Sequence, residues 1–214
     1  MSVLIFANGE MFDVAWARPF LQQASHIIAA DGGTRHLFQV GVLPDVVIGD
    51  MDSLPDETLT WLTEGRANLI RYHTAKDETD LELALLYARQ FDEEILLFGA
   101  LGGRLDQMLA NVLLLVHPAL AACSITVVEQ YERAWLVTER TEFEGEPGDT
   151  VSLIPLAGDV VVKQTNGLRW PLLDSVLSFG LARGVSNVMT AVSASVEVAS
   201  GKLLCIHTLD HKKE

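Results

Sequence analysis

Up to about residue 130, short apolar runs alternate with segments whose apolar residues recur at helical spacing, and that alternation leaves few folds open. The runs are Val3–Ala7, His26–Ala30, Val46–Ile48, Asn68–Arg71, Glu94–Phe98 and Ser124–Val128; the helical segments fall at about 13–24, 33–40, 55–64, 79–90 and 104–116. Strand and helix in alternation pack as right-handed βαβ units, so residues 1–130 are expected to form an α/β domain on a mainly parallel sheet. Segment 79–90 is the clearest helix: Leu81, Ala84, Leu85 and Ala88 share a face, and Thr79-x-x-Glu82 is a capping box at its start.

Beyond residue 130 the texture changes to short strands separated by turn residues. Ala134–Thr138, Thr150–Pro155, Asp159–Thr165, Thr190–Ala199 and Lys202–Leu209 are the strand candidates, with Gly145, Pro147-Gly148, Gly158, Gly167 and Gly201 between them. Residues 131–214 are therefore expected to form a small antiparallel sandwich or barrel. The closing HKKE reads as a frayed tail.

Composition removes several function classes. With 15 Lys and Arg against 29 Asp and Glu, a net of −14, the chain lacks the basic surface that nucleic acid or an anionic membrane requires. ATP remains admissible if a divalent cation bridges the two sets of negative charge. The most hydrophobic stretch, Met108–Val128, is broken by Asn111, His117, Pro118 and Ser124, short of the roughly 20 apolar residues of a membrane helix. MSVLIFANGE has no basic n-region, so no signal peptide is expected. Cys123 and Cys205 lie in apolar runs and read as buried free thiols, in keeping with a reducing cytoplasm. The six histidines lack metal-ligand spacing and read as structural or surface residues.

The chemistry is concentrated at the strand tips. Asp31-Gly32-Gly33 follows HIIAA, and Gly49-Asp50-Met51-Asp52-Ser53 follows VVI. Lys76-Asp77-Glu78-Thr79-Asp80 opens the strong helix, and Gly102-Gly103-Arg104-Leu105-Asp106 follows ILLF. Any one of these residues has a plainer reading: Asp77 and Asp56 suit helix caps, and the glycine pairs suit tight turns. Together, carboxylates converging on one crevice repel one another, and a bound divalent cation is the simplest way to keep them ionised. Asp50 and Asp52, one residue apart, can both reach one hard cation such as magnesium. Lys76, Arg104 and a glycine turn leading into a helix N-terminus supply positive groups for phosphate oxygens. There is no GxxxxGK[ST] loop and no GxGxxG. These features imply a metal-dependent enzyme acting on phosphates.

The ordered motifs Asp31-Gly32-Gly33, Gly49-Asp50-Met51-Asp52-Ser53, Lys76-Asp77-Glu78-Thr79-Asp80 and Gly102-Gly103-Arg104-Leu105-Asp106-Gln107 resemble the thiamin pyrophosphokinase family. Gly167-Leu168-Arg169-Trp170-Pro171-Leu172 and Ser186-Asn187 resemble its C-terminal signatures. The resemblance implies an N-terminal α/β domain binding ATP, followed by a C-terminal β-sandwich that contributes to thiamin binding. It also implies a homodimer with shared active sites, and a reaction giving thiamin diphosphate and AMP. By that resemblance Asp50, Asp52 and Asp80 would hold Mg2+ on the triphosphate. Asp31, Gly32, Lys76, Asp77, Thr79 and Arg104 would line the nucleotide, with Asp106 and Gln107 near its phosphates or the acceptor. Asp80 and Asp106 are both candidates to accept the hydroxyl proton of thiamin. Trp170 would offer an aromatic face to the thiamin cation, and Ser186 and Asn187 would offer hydrogen bonds. Two rival readings are a metal-dependent phosphohydrolase built on Asp50-x-Asp52 and a non-catalytic nucleotide- or thiamin-binding regulator. The first expects a nucleophilic Asp after the first strand, where this chain has Ala7-Asn8-Gly9.

Overall fold

Runs such as Val3–Phe6, all fully buried, have no polar alternation because helices cover both faces of the sheet they enter. A computed structural model of the chain describes residues 1–73 and 75–210, so the tail expected to fray lies outside the described residues. The chain divides into two compact units, Met1–Gln130 and Tyr131–Glu214.

The first unit has parallel strands β1 (Ser2–Phe6), β2 (Ala24–Ala30), β3 (Val46–Gly49), β4 (Asn68–Arg71), β5 (Glu94–Phe98) and β6 (Ile125–Val128). They lie in the order β6-β5-β1-β2-β3-β4. The helices are α1 (Arg18–Gln23), α2 (Thr34–Val40), α3 (Asp56–Glu64), α4 (Asp80–Ala88) and α5 (Leu105–Leu113). The helix expected over 13–24 is instead a 3-10 turn, Ala15–Ala17, followed by the short α1 with Pro19 in its first turn. Proline lacks the N–H a helix interior needs, so the helix restarts there. Phe6 stacks on Phe98 at 4.9 Å between centroids, and Trp16 and Phe20 pack on Phe98 at 5.7 and 5.4 Å. After β4 the chain crosses to the other side of β1, which makes the gap between β1 and β5 the topological switch point where such sheets bind ligands.

The second unit is antiparallel, with β7 (Glu132–Val137), β8 (Arg140–Glu144), β9 (Thr150–Pro155), β10 (Val160–Asn166), β11 (Leu173–Leu177), β12 (Asn187–Val188), β13 (Ser193–Ser200) and β14 (Leu203–Thr208). Within it the strands run β12-β9-β14-β7 and β11-β10-β13-β8. Val151, Leu153, Leu203 and Cys205 from the first row share a core with Val160, Val162, Val196 and Val198 from the second, as in a sandwich. β8 and β11, both edge strands, are not among the strands expected from the sequence; β8 alternates between exposed charges and half-buried Thr141 and Phe143, the latter on the core. Arg140-Thr-Glu-Phe-Glu carries the charge that keeps an exposed edge from pairing with another chain. Both cysteines are free. Cys205 is buried, which pushes its thiol up to about 12, whereas Cys123 is only half-buried, short of the burial expected for it.

Candidate active site

The tips of β1, β2 and β5 and the starts of α4 and α5 enclose a cleft of about 300 Å³ at the switch point. Asp31, Gly32, Thr79, Asp80 and Gln107 line it, together with Asn8, Gly9, Ser53, Gly102 and Asn111. Asp31 leaves β2 in the left-handed region, φ 41°, as does Met51 at φ 64°. Such backbone costs about 1 kcal/mol or more per residue and persists where surrounding contacts over-determine it. Those contacts are present here: the Met51 N–H donates to Asp31 Oδ1 at 3.1 Å, and the Ser53 hydroxyl donates to Asp31 Oδ2 at 2.7 Å. Asp31 therefore ties the tip of β2 to the loop bearing Asp50 and Asp52. In that loop the Asp52 N–H donates to Asp50 Oδ1 at 3.2 Å.

Thr79 caps α4, its hydroxyl oxygen accepting from the Glu82 N–H at 3.1 Å as the capping box requires. That cap sets Asp80 at the first helical position, where the Lys76 ammonium donates to its Oδ1 at 2.5 Å. Lys76 also lies over the Tyr72 ring, 5.4 Å from its centroid. Burial raises the Asp80 pKa above the ordinary carboxylate value; the hydrogen bond and charge of Lys76 pull it down, and the charges of Asp31 and Asp50 push it up again. Carboxylates from β2, the loop after β3 and the start of α4 thus act on one another.

Gly102 and Gly103, at φ 88° and 83°, make the turn into α5 that only glycine takes without strain. Arg104 and Asp106 beyond it engage each other, Nε to Oδ1 at 3.1 Å and Nη2 to Oδ2 at 2.5 Å, on the exposed side of the helix start. The hydrogen bond from Arg104 holds the Asp106 carboxyl below its usual pKa. Of the remaining expected residues, Asp50 and Lys76 reach the cleft through Asp80, while Asp52 and Asp77 are exposed and outside its lining. Among the described residues no group of three His, Cys, Asp or Glu stands together as a ready-made metal site.

The polar wall side chains given no role from the sequence are Asn8, Asn111 and Ser53, the last within the quoted 49–53 motif. Asn111 follows Gln107 by one helical turn on α5, a spacing that puts both on one face, and its Nδ2 donates to the Ala100 carbonyl at 2.8 Å.

In the second unit Trp170 is 56% exposed, with the Arg169 guanidinium 5.6 Å from its ring centroid. It is not a core aromatic. Asn187 is buried behind it and uses its amide on backbone: Oδ1 accepts from the Trp170 N–H at 3.1 Å and Nδ2 donates to the Trp170 carbonyl at 2.7 Å. Ser186 sits at φ 58° with its N–H on Ser152 Oγ at 3.0 Å.

An acidic cleft at the switch point of a parallel α/β unit, with an antiparallel sandwich following in the chain, defines a class of two-unit α/β enzymes. Residues 17–127 match the family model "Thiamin pyrophosphokinase, catalytic domain", and residues 138–203 match "Thiamin pyrophosphokinase, vitamin B1 binding domain". The chain belongs to the thiamin pyrophosphokinase family. It is 27% identical over 187 residues to the thiamine pyrophosphokinase of Bacillus subtilis (strain 168), covering 86% of this chain and 87% of that one. The solved thiamin pyrophosphokinase of Geobacillus thermodenitrificans matches with a TM-score of 0.86 at 27% identity, over 99% of each chain. The Bacillus subtilis crystal structure, at 24% identity, has the same fold, with a TM-score of 0.87 over 98% of this chain and 100% of that one.

Proposed function

We propose that this chain is a thiamin diphosphokinase, transferring a pyrophosphoryl group from ATP to the hydroxyl of thiamin to give thiamin diphosphate and AMP. The observation that carries the reading is Asp80: paired with Lys76, raised by burial and by Asp31 and Asp50, and set on the wall of the switch-point cleft. Neither a phosphohydrolase nor a silent regulator draws support from any relative.

The residues fit magnesium. Their donors are hard carboxylate oxygens, and a cation that arrives on a triphosphate takes only one or two carboxylates from the protein, so no preassembled cage is required. Asp50, Asp52 and Asp80 would hold it. When bound, magnesium supplies neutralisation of charge on the phosphates. The chain's own residues do the rest. Lys76 lies close enough to Asp80 to exchange that carboxylate for a phosphate oxygen. Asp31, Gly32 and Thr79, which line the cleft, would contact the nucleotide, and the exposed Asp77 and Arg104, outside that lining, would reach it from solvent. Asp80 and Asp106 are the two candidate acceptors of the thiamin hydroxyl proton: Arg104 holds Asp106 low, and magnesium on Asp80 would lower that carboxyl in turn. Gln107 lies on the cleft wall to orient the acceptor. Trp170 offers an exposed ring to the thiamin cation, Ser186 immediately precedes Asn187 at the start of β12, and Asn187 fixes the Trp170 backbone.

We also propose a homodimer. Leu105, Leu109 and Leu113 form a stripe along α5 that is 68%, 57% and 52% exposed, and a second copy of the chain is the occupant that would cover it. A cytoplasmic location accords with the free thiols, and among the described residues no helix is long and apolar enough to cross a membrane.

The test is to incubate the pure protein with ATP, magnesium and thiamin and weigh the products. Thiamin diphosphate and AMP in equal amounts are expected; inorganic phosphate released without thiamin would overturn the reading. Sedimentation equilibrium checks the dimer.

A further inference from the structure

The turn after β1 is held from two sides. From α2, Arg35 Nη2 donates to the carbonyls of Asn8 and Gly9, both at 3.0 Å, and His36 Nε2 lies 2.9 Å from the Gly9 carbonyl. From the other side the Gly9 N–H donates to the Gly99 carbonyl at 2.7 Å. A Cβ on Gly9 would lie 2.2 Å from the Leu101 carbonyl oxygen and 2.4 Å from that of Gly99, so the two turns are in direct backbone contact. The Asn8 side chain in turn lies against Gly32, where an added Cβ would come within 2.5 Å of Asn8 Cγ. Asn8, Gly9, Gly32 and Gly102 all line the cleft.

We propose that His36 is a positioning residue for nucleotide binding: its Nε2–H holds the Gly9 carbonyl and so fixes the Asn8–Gly9 wall between Gly32 and the glycine turn that leads to Arg104. This rests on the ATP-dependent reading above. A carbonyl oxygen only accepts, so Nε2 carries the proton. The ring is 2% exposed. Burial, and then the charge of Arg35, lower its pKa against the opposing pull of the Gly9 hydrogen bond, which keeps it the neutral donor. A leucine or phenylalanine would fill the same space, so volume alone does not explain a polar ring at this point in the core. The hydrogen bond ends on backbone that borders the cleft, and Gly9 meets the 99–103 turn with no gap between them, so a displaced Gly9 would carry that turn with it.

The experiment compares His36→Phe, which keeps the ring and removes the donor, with His36→Gln, which keeps a donor, and with Arg35→Met at the exposed partner. ATP binding is measured by calorimetry without thiamin, and KM and kcat are measured for both substrates. His36→Phe should weaken ATP binding about five- to tenfold, the scale of one hydrogen bond, with thiamin KM and kcat within about twofold. His36→Gln should restore ATP affinity to within about threefold, and Arg35→Met should weaken ATP in the same selective pattern. The assignment is overturned by unchanged ATP affinity in His36→Phe, by equal losses for both substrates, or by His36→Gln as impaired as His36→Phe. Should His36→Phe not fold, unchanged ATP affinity in Arg35→Met overturns it instead. A wild type that binds ATP yet makes no thiamin diphosphate sinks only the activity, because the ATP affinities still decide the role of His36.

Discussion

The Lys76 ammonium stands 2.5 Å from Asp80 Oδ1, and even with that partner the Asp80 carboxyl titrates above its usual value. Burial, together with the charges of Asp31 and Asp50, outweighs the lysine. A carboxyl whose folded pKa lies above its unfolded one binds its proton more tightly in the native state. Its contribution to stability is therefore present at low pH and lost as pH rises from the ordinary carboxylate range through the raised folded value. Asp80→Asn, which mimics the protonated form, should abolish turnover while raising the melting temperature of the ligand-free protein at neutral pH. One kcal/mol corresponds to roughly 2–4 °C in a chain of this size, so calorimetry resolves the change. A lower melting temperature would show that the Lys76 pair, not the crowding of carboxylates, governs this corner.

Asp50 and Asp52 lie on a loop that Asp31 holds through the Met51 N–H and the Ser53 hydroxyl. Replacing either by Asn leaves those anchors intact, and Asp52 is exposed, so the fold should be retained with stability within about 0.5 kcal/mol. Turnover should nevertheless fall by roughly a hundred- to a thousandfold, as when one charge-stabilising group is removed from an active site. Near-normal rates with unchanged magnesium dependence would take these residues out of the site.

The sequence makes the strand–helix alternation and the strand-tip carboxylates legible because both depend on period and residue type. Val3–Phe6 reads as buried on two faces, and Thr79 with Glu82 reads as a cap, since the chemistry is local. What stays hidden depends on direction and on distant partners. Nothing in the string says that Arg104 and Asp106 engage each other, or that the Asn187 amide turns inward to the Trp170 backbone. Asn8 and Asn111 are uncharged and carry no motif of their own, so only the closure of β1 beside β5 reveals them as walls of one cleft.

Asp149 is buried in the second unit. Its Oδ2 meets His207 Nε2 at 2.8 Å and accepts from the Glu146 N–H at 2.9 Å, while Oδ1 accepts from the Asp210 N–H at 3.0 Å. Burial pushes its pKa up, but the backbone donors and His207 together outweigh that and leave it lowered. Because the folded value is depressed, the stabilisation is present above the ordinary carboxylate range and lost as pH falls through the folded value. Asp149→Ala leaves the buried His207 and two part-buried backbone N–H groups without this acceptor and should cost about 2 kcal/mol, lowering the melting temperature by at least about 4 °C. It should also flatten the acid limb of the stability curve. An unchanged acid limb would assign that pH dependence elsewhere.

Trp170 and Asn187 should separate cleanly. Trp170 is exposed, so Trp170→Ala removes little packing and should leave the melting temperature nearly unchanged, far from the 3–5 kcal/mol typical of a buried Trp. Losing an aromatic face for a desolvated cation is worth about 1–2 kcal/mol, so thiamin affinity should fall roughly five- to thirtyfold with ATP affinity intact. Asn187→Ala breaks the two part-buried hydrogen bonds that hold the Trp170 backbone, so it should lower both thiamin affinity and stability. Titrating each variant with thiamin and with ATP, alongside thermal melts, checks the pair. Equal losses of thiamin and ATP affinity in Trp170→Ala, together with a lower melting temperature, would place its ring in a packing role instead.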